Sequence, residues 1–522
     1  MAYDNSASRS DIRRKLRPTI VMEPLLSRLK PNAQVVEHII VELNTSFPGG
    51  LEQARELVKN MVNGIAENSL ERNIDGARYP FVFAEMTAPQ ILKLIAADGV
   101  QAAARKVKAE KEAKTGAAGP LSMYRAIYKI WESAAIRVLT TVSIKTVKAD
   151  AAQSAFAAAG DGVVWAVLDS GVDKNHVHFL KYKNLDVSLP LQHRSFLAPK
   201  TGQTLPDPLT DQFGHGTHVA GIIAGGTDPG PNLLCARESA DQSGTDSGYD
   251  VRDVSGIRGM APKCKLLSCR VLDEVGAGDV TAVINALEWI MQLNGDGQRP
   301  LVHGVNISAG YLPDPEHYGS GQSPVCRQVN RAVKSGLVVV VASGNYGYSS
   351  YNAVQRAGAQ VSWDAGQFIS ITDPGNAELA ITVGSTHREE PHRYGVSYFS
   401  SKGPTSDGRA KPDVVAPGER IISCAAGGAK ANVQQLLQVS GAPAAAANTS
   451  RPDFQYLEDS GTSMAAPHVS GVIAAFLSIR REFIGEAEKV AALVTSSAMD
   501  LGRDQRLQGA GLVDLFKLIQ QV

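Results

Sequence analysis

Three segments of the chain carry residue types that together could transfer an acyl group. VVWAVLDSGVD ends an apolar, strand-like run at Asp169. A carboxylate at the carboxyl end of a buried strand can orient a histidine and stabilise its charged form. FGHGTHVAGIIAGG sets His215 between two glycines at the head of an apolar helical pattern. An imidazole that titrates near neutrality is a natural acceptor for a serine proton. SGTSMAAPHVSGVIAAF places Ser463 where a loop turns into a helix. Unpaired backbone N–H groups and the positive helix end there suit the oxyanion of a tetrahedral intermediate. Pro467 is expected in the first helical turn, where no amide bond would be lost.

Each segment also has a plainer reading. Asp169 alone could be a turn or capping aspartate. His215 could be a packed helix histidine, as His218 and His468 are read. Ser460 or Thr462 could serve as an ordinary helix N-cap.

The surrounding elements are of the kind that could bring these segments together. From about residue 145, apolar runs alternate with helical patterns: Val163–Leu168, Leu266–Val271, Leu301–Ile307, Leu337–Ala342 and Ala380–Val383. Continuous apolar strands predict a doubly wound, mostly parallel α/β sheet with helices on both faces. Three polar stretches read as surface insertions, near 225–255, 346–363 and 427–453.

Ahead of this region a smaller α+β unit is expected over 35–144, behind a flexible arm, 1–34. Its strands are read at Val35–Leu43, Tyr79–Met86 and Ile136–Val142. Leu51, Leu57, Val58, Met61, Val62 and Ile65 recur at helical spacing. Thr87 and Gln90 predict a capping box for a second helix. A charged helical stretch, Arg105–Lys114, and a break at Gly116–Pro120 follow.

Composition narrows the function classes. The 522 residues include 52 Lys+Arg and 52 Asp+Glu, so no bulk field favours nucleic acid or an anionic membrane. The five cysteines are scattered, which predicts no disulfide framework and fits a reducing compartment. No apolar run of about 18 residues is read, so no membrane-spanning helix is expected. The N-terminus carries Arg13 and Arg14 but no apolar run after them, so no secretory leader is read. A cytoplasmic protein is expected, with export by another route left open.

Taken together, the three segments closely resemble the subtilases, the subtilisin-like serine proteases. The resemblance runs from about Val147 to the C-terminus. It includes SYFSSKGPTSDGRAKPDVVAPG, PGNAELAITVG and GAGLVDL. The order Asp169, His215, Ser463 separates this family from other triad enzymes. The resemblance implies a serine endopeptidase that works through an acyl-enzyme on polypeptide substrates. It places Asn345, in VVVVASGNYG, as an oxyanion-hole donor. It puts the substrate strand between Gly276-Ala277-Gly278 and Ser308-Ala309-Gly310. Ala342-Ser343-Gly344 would floor the pocket for the residue before the scissile bond (P1), leaving room for a large apolar side chain.

The family usually carries an N-terminal propeptide, often ferredoxin-like. The 35–144 unit therefore implies a zymogen whose own N-terminal domain is an intramolecular inhibitor. No cofactor is required for the chemistry. A structural calcium is common in the family, but its usual ligand position here holds His178, within His176-Val177-His178. Imidazole suits Ca²⁺ poorly. Asp173, His176 and His178 raise a transition metal, but with no third strong ligand at fixed spacing they read as surface or supporting side chains, and no metal ligands are assigned. Two other readings stay open: a non-catalytic binding protein on the same scaffold, and a narrow processing protease for one partner.

Overall fold

A computed structural model of the chain describes residues 20–21, 25, 29, 34–67, 69–70, 79–112, 120–132, 135–138, 143–198, 204–228, 233–240, 247–254, 256–313, 320–354, 360–439 and 453–522. The chain divides into two units, one within Met1–Ala134 and the other comprising Ala135–Pro313 and Gly319–Val522. The expected 1–34 arm lies largely outside the described residues.

In the N-terminal unit, β1 (Val36–Leu43) is the middle strand of an antiparallel sheet, flanked by β2 (Phe81–Thr87) and β3 (Ile127–Glu132). Two helices belong to the same unit, α1 (Gly50–Ile65) and α2 (Ala88–Glu112). Ile39, Val41 and Leu43 alternate onto one face, where they share a core with Val58, Val62 and Ile91. Gln90 accepts the Thr87 N–H at 2.8 Å, the backward half of the expected capping box, and the Thr87 hydroxyl also donates to Gln90. The charged Arg105–Lys114 stretch is not a separate element. Through Glu112 it continues α2, which runs for 25 residues.

The third strand of this sheet is not Ile136–Val142 but Ile127–Glu132. Lys129 and Glu132 break the apolar run there and conceal the strand. The later segment, β4 (Ala135–Val138), belongs to the second unit and pairs in a different place.

The other strands of the second unit are β5 (Val164–Asp169), β6 (Arg194–Ser195), β7 (Leu234–Ala240), β8 (Ser247–Asp253), β9 (Lys265–Arg270) and β10 (Gly278–Asp279). Then come β11 (Gly304–Ile307), β12 (Ala309–Gly310), β13 (Val338–Ala342), β14 (Tyr348–Val354), β15 (Gln360–Gly366) and β16 (Ile381–Thr386). The last are β17 (Val414–Pro417), β18 (Ile421–Cys424) and β19 (Tyr456–Asp459). Seven form one parallel sheet in the order β17-β16-β13-β11-β5-β9-β6. The residues of β11, β13 and β16 are all buried, as a sheet covered on both faces requires.

The helices of the second unit include α3 (His215–Ile223), α4 (Pro324–Lys334), α5 (Gly427–Val439) and α6 (Thr462–Ile479). Helix α6 packs along β11, β13, β16 and β17 and against α3. It is long and apolar enough to cross a membrane, unlike any segment expected from the sequence. Its residues from Thr462 to Leu477 are buried in the protein. A helix apolar on every side is what the centre of a large core needs.

The insertions are built structures. Segment 346–363 contributes most of the hairpin β14–β15. Segment 225–255 holds the hairpin β7–β8, and 427–453 begins with α5. These two fold together: β7 pairs with β19 in the sheet β18-β19-β7-β8, and α5 packs on β8. Ala236, Val433, Phe454 and Leu457 form their shared core. All five cysteines are buried and unpaired.

Candidate active site

Asp169 is the last residue of β5, between β11 and β9 in the central sheet. Its Oδ1 accepts from His215 Nδ1 at 2.7 Å, and both side chains are about 1% exposed. The Ser170 N–H donates to the same oxygen at 2.8 Å. His215 opens α3, and the glycine after it is required by the fold. A methyl on Gly216 would stand 2.1 Å from the Gly171 carbonyl and 3.1 Å from the Asp169 Cβ. The close approach that brings imidazole to carboxylate therefore depends on a residue without a side chain.

The cap of α3 is supplied by a residue the sequence reading missed. Gly214 stands at the N-cap and has no side chain to offer. Asp211 acts instead. Its Oδ1 accepts from the Gly214 N–H and the Ser170 hydroxyl, and its Oδ2 from the Thr217 N–H and hydroxyl, all at 2.6–2.9 Å. Ser170 in turn accepts from the Gly216 N–H at 3.0 Å. Burial pushes the Asp211 carboxyl upward, and these hydrogen bonds act against it. An acidic residue four places before a helix whose cap is glycine was the available signal.

Ser463 is the second residue of α6. Its hydroxyl donates to the Ser308 carbonyl at 2.8 Å, and the Ser308 hydroxyl donates to the Ser463 carbonyl at 2.7 Å. Pro467 explains why that carbonyl is available. Counted from Thr462, it is the sixth residue of α6, beyond the first turn where it was expected. Lacking an N–H, it cannot bond the carbonyl four residues back, which is that of Ser463. Ser308 takes the place of the missing donor.

Asn345 follows β13 across the short link Ser343-Gly344. Its Oδ1 accepts from both the N–H and the hydroxyl of Thr462, at 3.0 and 2.9 Å. Because a backbone N–H can only donate, the carboxamide is held oxygen-inward and presents Nδ2 as its donor face. The Thr462 hydroxyl also accepts from the Gly344 N–H at 3.2 Å. Asn345 and Ser463 line one pocket.

The two rims read from the sequence lie on either side of β4. Gly278 and Asp279 pair antiparallel with Ile136 and Ala135. Ala309 and Gly310 pair antiparallel with Val138 and Arg137. One extended stretch of this chain is thus hydrogen-bonded between both rims, the geometry of an added β-strand. Gly276 lies in the loop before β10 and comes against the Phe213 ring, where a methyl would stand 2.6 Å from it. Ala277 donates its N–H to Asp273 Oδ1 at 3.0 Å. Ala342 and Gly344 line the pocket beside Ser463; Ser343 is buried behind them, its N–H on the Val383 carbonyl.

The His176–His178 segment is not on the surface. Both imidazoles are buried, and their ring nitrogens are occupied. His176 bonds the Gln455 carbonyl and accepts from the His178 N–H; His178 bonds the Gly221 carbonyl and the Tyr456 hydroxyl. Burial pushes His178 down to about 3, so its ring stays neutral. Neutral, hydrogen-bonded nitrogens do not fit a calcium site, which needs oxygen donors. Among the described residues no group of three or more His, Cys, Asp or Glu is placed to hold a metal.

His218 and His468 are packed helix histidines, as read. Burial lowers them to about 3 and about 4. Asp459, four residues before Ser463, was not singled out from the sequence. Burial raises it to about 7, with the charge of His215 pulling it down.

The fold and this site define an α/β protein whose carboxylate, imidazole and hydroxyl follow one another along the chain as Asp, His, Ser at the carboxyl edge of a parallel sheet. The chain belongs to the subtilase family, whose model matches residues 160–511. It is 29% identical over 361 residues to serine protease AprX of Bacillus subtilis (strain 168), covering 68% of this chain and 65% of that protein. It is 28% identical to subtilisin-like protease 2 of Trichophyton verrucosum, over 62% of this chain and 51% of the relative. Against pyrolysin of Pyrococcus furiosus the identity is 31%, over 51% of this chain and 18% of the relative. The matched region thus spans less than two thirds of each of these proteins.

Proposed function

We propose that the chain is a serine endopeptidase, made as a zymogen, with Asp169, His215 and Ser463 as its triad. The observation that carries the reading is the 2.7 Å bond between two buried side chains, Asp169 and His215. Asp169 fixes the tautomer with the proton on Nδ1, which leaves Nε2 to act as base. In the reaction the Ser463 hydroxyl exchanges its bond to the Ser308 carbonyl for one to that nitrogen.

The Ser463 Oγ then forms a bond to the substrate carbonyl carbon, and its proton passes to His215. The carbonyl oxygen, now negative, receives hydrogen bonds from Asn345 Nδ2 and the Ser463 N–H. Collapse breaks the C–N bond, and His215 returns the proton to the leaving amine. Water, deprotonated by His215, attacks the acyl-enzyme and restores Ser463. No step requires a cofactor. The small residues of both rims let a substrate main chain approach closely enough to pair.

The zymogen reading is supported by β4, since residues 135–138 occupy the rims that a substrate would use. An N-terminal segment held there would inhibit until cut and released. The test is a fluorophosphonate probe with mass spectrometry on the wild type and Ser463→Ala. Labelling at Ser463 and self-cleavage within about residues 120–150, both lost in the variant, are expected. A full-length wild-type chain that neither labels nor cleaves any peptide would identify a non-catalytic binding protein.

A further inference from the structure

Of the residues that line the pocket beside Ser463, Tyr346 is the exposed one. It follows Asn345 and leads into the inserted hairpin β14–β15. Tyr348, the first residue of β14, is 43% exposed. Its ring stands edge-on to that of Tyr398, with 5.7 Å between centroids, and Tyr398 is 69% exposed. Tyr398 comes from another segment, between β16 and β17. Two stretches of chain thus bring three tyrosines into one aromatic surface that begins at the pocket.

The backbone beneath this surface is fastened to the core. The Tyr346 N–H donates to the Ser401 hydroxyl at 3.1 Å, and the Gly347 N–H to the Phe399 carbonyl at 2.9 Å. Lys402 Nζ donates to the Gly347 and Tyr398 carbonyls, at 2.6 and 3.2 Å, and so ties the two stretches together. Gly347 lies so close to the Ser400 carbonyl that any side chain there would collide with it. Its two neighbours, Tyr346 and Tyr348, remain exposed. Large aromatic side chains on a fixed backbone lose little conformational freedom when they bind, and exposed apolar surface of this kind marks interaction sites.

We propose that Tyr348 and Tyr398 form a second contact for the substrate, outside the strand-pairing rims. They receive apolar or aromatic side chains of an unfolded polypeptide a few residues after the cut. The proposal rests on the protease reading above. The direction of β4 selects the occupant: Arg137 pairs with Gly310 and Val138 with Ala309, so the strand advances toward Ser308, which is bonded to Ser463. A substrate held in the same way leaves both rims behind once it has passed Ser463. The aromatic surface adjoins the pocket at that point. Two extended residues carry the chain about 7 Å from Tyr346 to Tyr348, and the Tyr398 ring lies 5.7 Å further on. A surface of that reach matches about four extended residues of substrate. Rigid tyrosines dominate many binding surfaces for the same reason, large contact area at low entropy cost.

The test compares kcat/KM for two internally quenched peptides that are identical up to the scissile bond. One carries two phenylalanines among the six residues after the cut, and the other only serine and glycine there. Mass spectrometry confirms that both are cut at the same bond. The enzyme is the full-length chain after any self-processing. The wild type is expected to favour the phenylalanine peptide by about tenfold, the scale of two aromatic contacts. Tyr348→Ser/Tyr398→Ser should bring the ratio to within about twofold of unity. Tyr348→Phe/Tyr398→Phe keeps both rings and should keep the ratio. Each ratio is taken on one enzyme preparation, so partial misfolding of a variant does not change it.

Equal turnover of the two peptides by the wild type overturns the proposal. So does a preference that survives Tyr348→Ser/Tyr398→Ser. A Ser463→Ala chain that sediments as a dimer, and as a monomer once Tyr348→Ser/Tyr398→Ser is added, gives the surface to a second copy and also overturns it. Absence of fluorophosphonate labelling, with no hydrolysis of either peptide, is a different failure and rejects the protease reading itself.

Discussion

Ser308 and Ser463 exchange hydrogen bonds, each hydroxyl donating to the other residue's backbone carbonyl at 2.7–2.8 Å. The pair links the start of Ser308-Ala309-Gly310 to the first turn of α6. It exists because Pro467 leaves the Ser463 carbonyl without its helical donor. The Ser308 hydroxyl is itself oriented by the Asn306 amide at 2.8 Å.

Removing that hydroxyl isolates a buried carbonyl. Ser308→Ala is expected to lower stability by about 1–3 kcal/mol, the usual penalty for a buried acceptor left unpaired. It should also lower kcat, because the first turn of α6 loses a restraint. Thermal denaturation of the variant in a Ser463→Ala background, where no self-digestion occurs, measures the first effect. An unchanged midpoint would mean that another donor reaches the carbonyl.

The oxyanion donor depends on its anchor. Asn345→Ala is expected to reduce kcat by about 10²–10³ with little change in KM, since the bond it makes strengthens only in the transition state. Thr462→Val removes the hydroxyl that donates to Asn345 Oδ1 and accepts from Gly344, but keeps the backbone donor. Its loss in kcat should be smaller, about tenfold or less by the scale of a single neutral hydrogen bond. In the double variant Asn345→Ala/Thr462→Val, the Thr462 change should add little, because it acts through the residue already removed.

Asp459 offers a pH signature. Burial raises its carboxyl to about 7, and its charge interacts with that of His215. Above that pH the Asp459 anion would attract a protonated His215. Asp459→Asn keeps the acceptor for the Ser460 N–H and removes the charge. The acid limb of kcat/KM should then move to lower pH, by about half a unit for a partly screened charge. In the wild type the limb belongs to two coupled groups; in the variant it should steepen into a single titration. Identical profiles would place the two side chains too far apart to interact.

What the sequence revealed and what it hid follow from the range of the contacts involved. Asp169 ends an apolar strand, and His215 and Ser463 begin helices. Each position is marked by its near neighbours. Asp211 is marked only by the absence of a side chain at Gly214. Thr462 and Asn345 are 117 residues apart. Nothing in their own segments announces that meeting. The N-terminal sheet shows the same limit: Ile136–Val142 reads as a strand, but the sheet that β4 joins is decided by partners far along the chain. Pro467 was assigned to the first turn because the first residue of α6 is fixed by cap geometry, which the sequence did not settle.

Three buried histidines should make the fold acid-labile. Burial lowers His178 and His218 to about 3 and His468 to about 4. In the unfolded chain each takes up a proton near the usual value of about 6.5. Between pH 6.5 and these folded values the unfolded state binds more protons, so stability falls as the pH is lowered through that window. Each histidine contributes about 1.4 kcal/mol per pH unit there. Asp211, Asp373 and Asp459, raised by burial, act in the opposite sense on part of the same range. A single-site comparison isolates one histidine from that background. His468 uses both nitrogens, bonding the Met464 carbonyl through Nδ1 and accepting the Ser143 N–H through Nε2. A second proton would face that N–H. His468→Gln offers one donor and one acceptor without a titration. Urea unfolding at pH 7, 6, 5 and 4.5 in the Ser463→Ala background should show a pH slope shallower by about one proton in the glutamine variant. Parallel slopes would mean that His468 is protonated in the folded state over this range, and that the buried-neutral account of it is wrong.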